Sequence, residues 1–156
     1  MPRSKMPAPT KLSRSLHAGL GKVRMLAMDV DGVLTDAGMY YSESGDELKK
    51  FHTRDGMGIK MLQAAGIITA FITKENTAIV ERRGKKLAVP EVHQGVDDKL
   101  TDLTRLVRKH GLTLAQVAYI GDDVNDLEVL KAVGFSAAPA DAMPIVIQAV
   151  HYVCAK

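Results

Sequence analysis

Asp29-Val30-Asp31-Gly32-Val33-Leu34-Thr35-Asp36 follows directly on the apolar run Met25-Leu26-Ala27-Met28 and sets two carboxylates two positions apart where a strand would end. Residues i and i+2 of an extended chain point to the same side, so both acids face one site just beyond a buried strand. Such a pair suits phosphoryl transfer. One acid attacks phosphorus, and its neighbour protonates the leaving oxygen and then activates water. Two anions facing a phosphate would repel it, so a cation has to sit among them, and Mg²⁺, a hard cation with oxygen ligands, fits that need. Taken alone, the same residues also read as a capped turn, with Asp31-Gly32 as its turn dipeptide.

Three further stretches decide between these readings. Val117-Ala118-Tyr119-Ile120 reads as a strand that runs into Gly121-Asp122-Asp123-Val124-Asn125-Asp126, a second acidic cluster. Ile67-Ile68-Thr69-Ala70-Phe71-Ile72 reads as another strand, ending at Thr73, whose hydroxyl and amide suit a phosphate oxygen. Lys99 opens a helix whose apolar Leu100, Leu103, Leu106 and Val107 recur at helical spacing, with Gly111 just past its end. A lysine at a helix start adds charge where the helix dipole is already positive, a poor place for stability and a good one for an anion. Singly, Thr73 reads as an N-cap and Lys99 as a surface charge. In an open parallel sheet, however, ligands gather beyond the carboxyl ends of the strands, where all four motifs converge.

The chain has 156 residues, 46% of them hydrophobic, which suits a single globular core. No apolar stretch reaches the roughly 20 residues needed to cross a membrane. Cys154 is the only cysteine, so no internal disulfide forms and a reducing, cytoplasmic setting is expected. Five of the 21 basic residues and none of the 18 acidic ones fall in residues 1–22, so the net charge of +3 becomes −2 for the remainder. That remainder lacks the basic footprint of a nucleic-acid binder. Residues 1–22 read as a disordered basic leader and residues 23–156 as one domain. Strands and helices alternate after the leader, the pattern of a doubly wound α/β sheet. One excursion interrupts it, Gly38 to His52, which reads as a β-hairpin around Ser44-Gly45. Only 41 residues lie between Asp31 and Thr73 and 25 between Thr73 and Lys99, too few for a cap domain. Water must then be kept from the site by something else, and a neighbouring subunit touching Met39, Tyr40, Tyr41 and Phe51 would serve.

These motifs resemble those of the haloacid dehalogenase superfamily of phosphatases. Within it, the Asp29–Asp36 stretch, Arg54-Asp55-Gly56, Gln94-Gly95-Val96-Asp97-Asp98-Lys99 and Ala118–Asp126 are similar to a small, capless branch that dephosphorylates 3-deoxy-2-keto sugar acids. That branch comprises octulosonate 8-phosphate phosphatases, nonulosonate 9-phosphate phosphatases and the C-terminal domains of some acylneuraminate cytidylyltransferases. The resemblance spans about Val23 to Lys156. It implies a nucleophile at Asp29, a general acid and base at Asp31, and a phosphoryl group held by Thr73 and Lys99. It also implies Mg²⁺ on the Asp29 carboxylate, the Asp31 carbonyl and the Asp122 carboxylate, with Asp126 behind them, and a homotetramer built through the hairpins. Arg54 and Asp55 would reach the sugar acid, as could His52 or His93.

Two departures stand out. Octulosonate enzymes usually read Thr-Gly-Arg where this chain has Thr73-Lys74-Glu75, which removes a cation suited to a sugar-acid carboxylate. Glu75, with Lys86 on the following helix, is closer to the nonulosonate relatives. Relatives also continue into a glycine-rich basic tail, whereas this sequence runs to His151-Tyr152-Val153-Cys154-Ala155-Lys156. Two other classes predict different patterns. A receiver domain carries an adjacent acidic pair at the end of its first strand and its phosphoacceptor after a middle strand, whereas here the first strand carries Asp29-x-Asp31 and the adjacent pair Asp122-Asp123 comes late. A catalytically silent oligomerisation domain would show no turnover with Mg²⁺ present.

Overall fold

The computed structural model of the protein describes residues 14–45 and 47–155. After α1 (Arg14–Leu20) comes β1 (Met25–Met28), the axis of the molecule. Next are the hairpin strands β2 (Tyr40–Tyr41) and β3 (Glu47–Leu48), then α2 (Thr53–Ala64), β4 (Ile68–Ile72), α3 (Ala78–Leu87), β5 (Glu91–His93) and α4 (Lys99–Lys109). The chain closes with β6 (Val117–Ile120), α5 (Leu127–Ala132), β7 (Phe135–Ala138), α6 (Pro144–Ile147) and β8 (Tyr152–Val153). Six strands form one parallel sheet in the order β5-β4-β1-β6-β7-β8. Helices flank it on both faces, the doubly wound α/β arrangement expected. No cap domain is present among the described residues.

Alternate residues of each central strand serve opposite faces. Ala70 and Ile72 of β4 join Met25, Ala27 and Val117 in a core under Leu103, Leu106 and Val107 of α4. Phe71 points the other way and packs with Met28, Ile59 of α2 and Val80 of α3. In register, Met28 lies between Phe71 and Ile120, so the chain leaves three adjacent parallel strands at one level. Asp29, Thr73 and Asp122 therefore emerge together.

Three expectations change in the structure. The leader is helical over Arg14–Leu20, where Leu20 covers Phe135 and Ala118; its residues 1–13 lie outside the described ones. The sheet also continues past β6 into β7 and β8. Phe135-Ser136-Ala137-Ala138 lacks β-branched residues, and β8 is two residues long, so neither carries a strand signal of its own. Phe51 packs against its own core beneath Arg83, whose guanidinium lies 5.2 Å from the ring centre, whereas Met39, Tyr40 and Tyr41 are exposed. Among the described residues, no helix is long and apolar enough to cross a membrane.

On β5, the edge strand beside β4, the buried Glu91 carboxylate accepts hydrogen bonds from Lys109 at 2.8 Å and pairs with His110 at 2.7 Å and His93 at 3.3 Å. Burial favours the neutral acid, but these bonds outweigh it and lower the Glu91 pKa from 4.5 to about 2. A carboxyl depressed on folding stabilises above its unfolded pKa and stops doing so as pH falls through the folded one. Glu91→Gln is therefore expected to cost about 1–3 kcal/mol near pH 7. Urea midpoints of variant and wild type should converge as pH falls from about 4.5 toward 2. A constant difference would contradict this account.

Candidate active site

Asp29 follows the last residue of β1, is 5% exposed, and its amide donates to the Ile120 carbonyl at 3.0 Å. Lys99, the first residue of α4, is held there by the Asp98 cap, whose carboxylate accepts from the Thr101 amide at 2.9 Å. Its ammonium lies 3.0 Å from Asp29 Oδ1 and 2.7 Å from Asp126 Oδ1, with almost no exposure. Burial opposes a charged lysine, but Asp29 and Asp126 outweigh it, so the Lys99 pKa is raised.

Asp126 is fully committed to holding its neighbours. One oxygen accepts from Lys99 and from the Tyr119 hydroxyl at 2.7 Å; the other accepts from the amides of Asp122 at 3.2 Å and Asp123 at 3.4 Å. It thus fixes the loop that aims Asp122 at Asp29. Gly32 sits opposite that loop with φ +87°, and a Cβ there would overlap the Asp122 carboxylate. Only glycine permits this approach.

The charges do not balance. Burial and then Asp126 raise the Asp29 pKa to about 6, against the pull of Lys99. Burial, followed by Asp29 and Asp126, raises Asp122 to about 7. Two buried oxygens, Asp31 Oδ2 and Asp122 Oδ1, have no hydrogen-bond partner among the described residues. Asp29, Asp122 and Asp126 offer oxygens within 4.8 Å of one another. Excess negative charge, orphaned carboxylate oxygens and an all-oxygen donor set fit a hard divalent cation. The cleft above them, about 230 Å³, is lined by Asp29, Asp31, Thr73, Lys74, Glu75 and Asp122 among others.

The match to a family model described as haloacid dehalogenase-like hydrolase covers residues 71–156. The 3-deoxy-D-manno-octulosonate 8-phosphate phosphatase of Escherichia coli K12 is 39% identical over 142 residues, 91% of this chain and 76% of that relative. The chain belongs to the haloacid dehalogenase-like hydrolases. It falls in their octulosonate phosphatase-like branch and is a phosphomonoester hydrolase. The Yersinia pestis 3-deoxy-D-manno-octulosonate 8-phosphate phosphatase superposes with a TM-score of 0.90 at 38% identity, covering 92% of this chain and 78% of that one. The Moraxella catarrhalis enzyme, solved with a magnesium ion, a phosphate ion and a KDO molecule, gives a TM-score of 0.88 at 38% identity, covering 90% of this chain and 81% of that one.

The haloacid dehalogenase motifs thus meet at one point: Asp29, Asp31, Thr73, Lys99, Asp122 and Asp126 share the site, and Glu75 lines its mouth. Arg54, Asp55 and Lys86 do not line this cleft within one chain. Arg54 and Asp55 lie in the first turn of α2, and His52 caps that helix, accepting from the Arg54 amide at 3.1 Å. His93 is likewise engaged, 2.6 Å from Asp102. Lys86 is exposed in the last turn of α3, whose first residues line a second groove rather than this cleft. The basic residue that does line the neighbouring groove, with Asn76 and Thr77, is Arg82, one turn earlier. Tyr119 and Lys49 were not anticipated as site residues. Tyr119 was visible only as a strand residue, although an aromatic hydroxyl buried beside an acidic loop needs a partner.

Proposed function

We propose that this protein is a Mg²⁺-dependent phosphatase of phosphorylated 2-keto-3-deoxy sugar acids, working through a phosphorylated Asp29. The observation that carries this is the meeting of Asp29, Asp31 and Asp122 in one cleft, with Lys99 against Asp29 and two buried carboxylate oxygens without a partner among the described residues. The Asp29 carboxylate, the Asp31 carbonyl and the Asp122 carboxylate would hold Mg²⁺, which when bound neutralises these acids and the phosphate. Asp126 positions them from behind.

An Asp29 oxygen attacks phosphorus and the bond from phosphorus to the sugar oxygen breaks. Asp31 gives that oxygen its proton. Asp31, now anionic, takes a proton from water, whose oxygen attacks the same phosphorus. The phosphate leaves and Asp29 returns as a carboxylate. Lys99 and Thr73 hold the transferring oxygens.

The hairpin presents Met39, Tyr41 and Leu48 at 51%, 66% and 65% exposure. Their burial against other copies in a homotetramer would close the site and bring Arg54 and Asp55 to a neighbour's cleft. A cytoplasmic setting suits the unpaired Cys154. The silent-domain alternative finds no support in the named relatives, which are phosphatases.

The test is steady-state turnover of 3-deoxy-octulosonate 8-phosphate beside a nonulosonate 9-phosphate. Mg²⁺-dependent hydrolysis of the octulosonate ester is expected, and turnover of neither ester would overturn the proposal. Glu75 sets the ratio between them. Glu75→Arg should shift kcat/KM about tenfold toward the eight-carbon ester, the value of one charged hydrogen bond.

A further inference from the structure

Lys49, the residue after β3, has a side chain only 2% exposed. A lysine is rarely buried so fully, and it stays charged there only with a close anion. Its ammonium donates to Asp31 Oδ1 at 2.7 Å, with Glu47 Oε1 at 3.8 Å. The Thr35 hydroxyl approaches the same Asp31 oxygen at 3.4 Å. Asp31 is thus held by one oxygen from behind. Its other oxygen, Oδ2, is buried and without a partner among the described residues. A carboxylate tied in this way cannot turn about its final bond without breaking a charged hydrogen bond, so its two oxygens keep distinct, fixed places in a residue that lines the cleft.

We infer that Lys49 is the positioning residue for Asp31, setting which oxygen gives its proton to the leaving group. The inference rests on the general-acid role proposed for Asp31. Lys49 itself exchanges no proton: the proton moves from Asp31 Oδ2 to the sugar oxygen as the phosphorus–oxygen bond breaks, and the ammonium stays to face the carboxylate left behind. Because Lys49 belongs to the hairpin, whose base is closed by the Thr35–Phe51 bridge, the hairpin's seating and the acid's aim are linked.

The experiment compares kcat/KM, which reports steps up to phosphoenzyme formation, for two esters. An alkyl ester such as 3-deoxy-octulosonate 8-phosphate needs a proton on its leaving oxygen; p-nitrophenyl phosphate does not. Lys49→Met, which keeps length and removes charge, is expected to lose about 10²-fold on the alkyl ester and at least tenfold less on the aryl ester. Lys49→Arg should recover most of the loss. Asp31→Asn should show the same selectivity, and the double variant should be no worse than Asp31→Asn alone. Equal losses of Lys49→Met on both esters would mean a merely structural role and overturn the inference. So would an unselective Lys49→Gln, made in case the Met variant does not fold. If Asp31→Asn itself loses both esters equally, the general-acid reading falls and takes the inference with it. If Asp31→Asn is selective and Lys49→Met is not, only the role of Lys49 fails.

Discussion

Asp29→Asn is expected to lower kcat on a sugar-acid phosphate by on the order of 10⁴-fold or more, with the fold intact. The residue is 5% exposed, just past the end of the central strand, and one of its oxygens is already taken by Lys99 at 3.0 Å. The other is left to meet phosphorus. An amide of the same shape fits the same space and keeps a carbonyl oxygen for Lys99, so the backbone has no reason to move. What it loses is nucleophilicity, and no other carboxylate can substitute: Asp126 is saturated by Lys99, Tyr119 and two amides, and Asp31 is held back by Lys49. Steady-state rates should be paired with capture of the phosphorylated protein in acid, present in wild type and missing in the variant. A variant that keeps more than about a hundredth of the activity would show that the phosphoryl group never resides on Asp29.

Chelation of Mg²⁺ should abolish turnover, and the metal-free protein should become less stable as pH rises from about 4 to 7. Asp29 and Asp122 stand at about 6 and 7 in the folded chain, against an ordinary 3.8. The folded state therefore holds these protons more tightly than the unfolded one. That contribution is fully present below about pH 4 and is lost as pH rises through the folded values. For Asp29 the difference amounts to about 3 kcal/mol at neutral pH and above. Mg²⁺ competes with protons for the same oxygens, so its stabilising effect should grow from pH 5 to 8. Urea midpoints across that range, with and without Mg²⁺, read both trends. A metal-free protein whose stability is flat or rising between pH 5 and 7 would contradict the charge imbalance described for this site. Glu91 does not interfere, because its titration lies well below this window.

Much of this site was legible in the sequence because each of its parts ends a strand or starts a helix. Asp29, Thr73 and Asp122 each close an apolar run or follow one within two residues, and parallel pairing brings such ends to one level. Lys99 was legible because its helix has a clear apolar stripe. Lys49 was not, since it lies in the polar-looking stretch Glu47-Leu48-Lys49-Lys50 and only the fold of the hairpin buries it. Lys86 was legible only as a basic residue on the helix after Glu75, because how α3 packs, which decides what its last turn meets, is not written in the helix itself. β7 and β8 escaped notice because small residues and short length conceal a strand that its neighbours complete.

The central strand also governs how the molecule comes into being. β1 is made early, yet both its partners, β4 and β6, arrive from much later in the chain. Such long sequence separations slow folding, because distant segments must meet before any pairing is rewarded. Asp29 is synthesised well before Asp122, so the cluster of Asp29, Asp122 and Asp126 is assembled only once β6 has paired with β1. Metal uptake during refolding should accordingly be the last event observed, arriving with closure of the sheet.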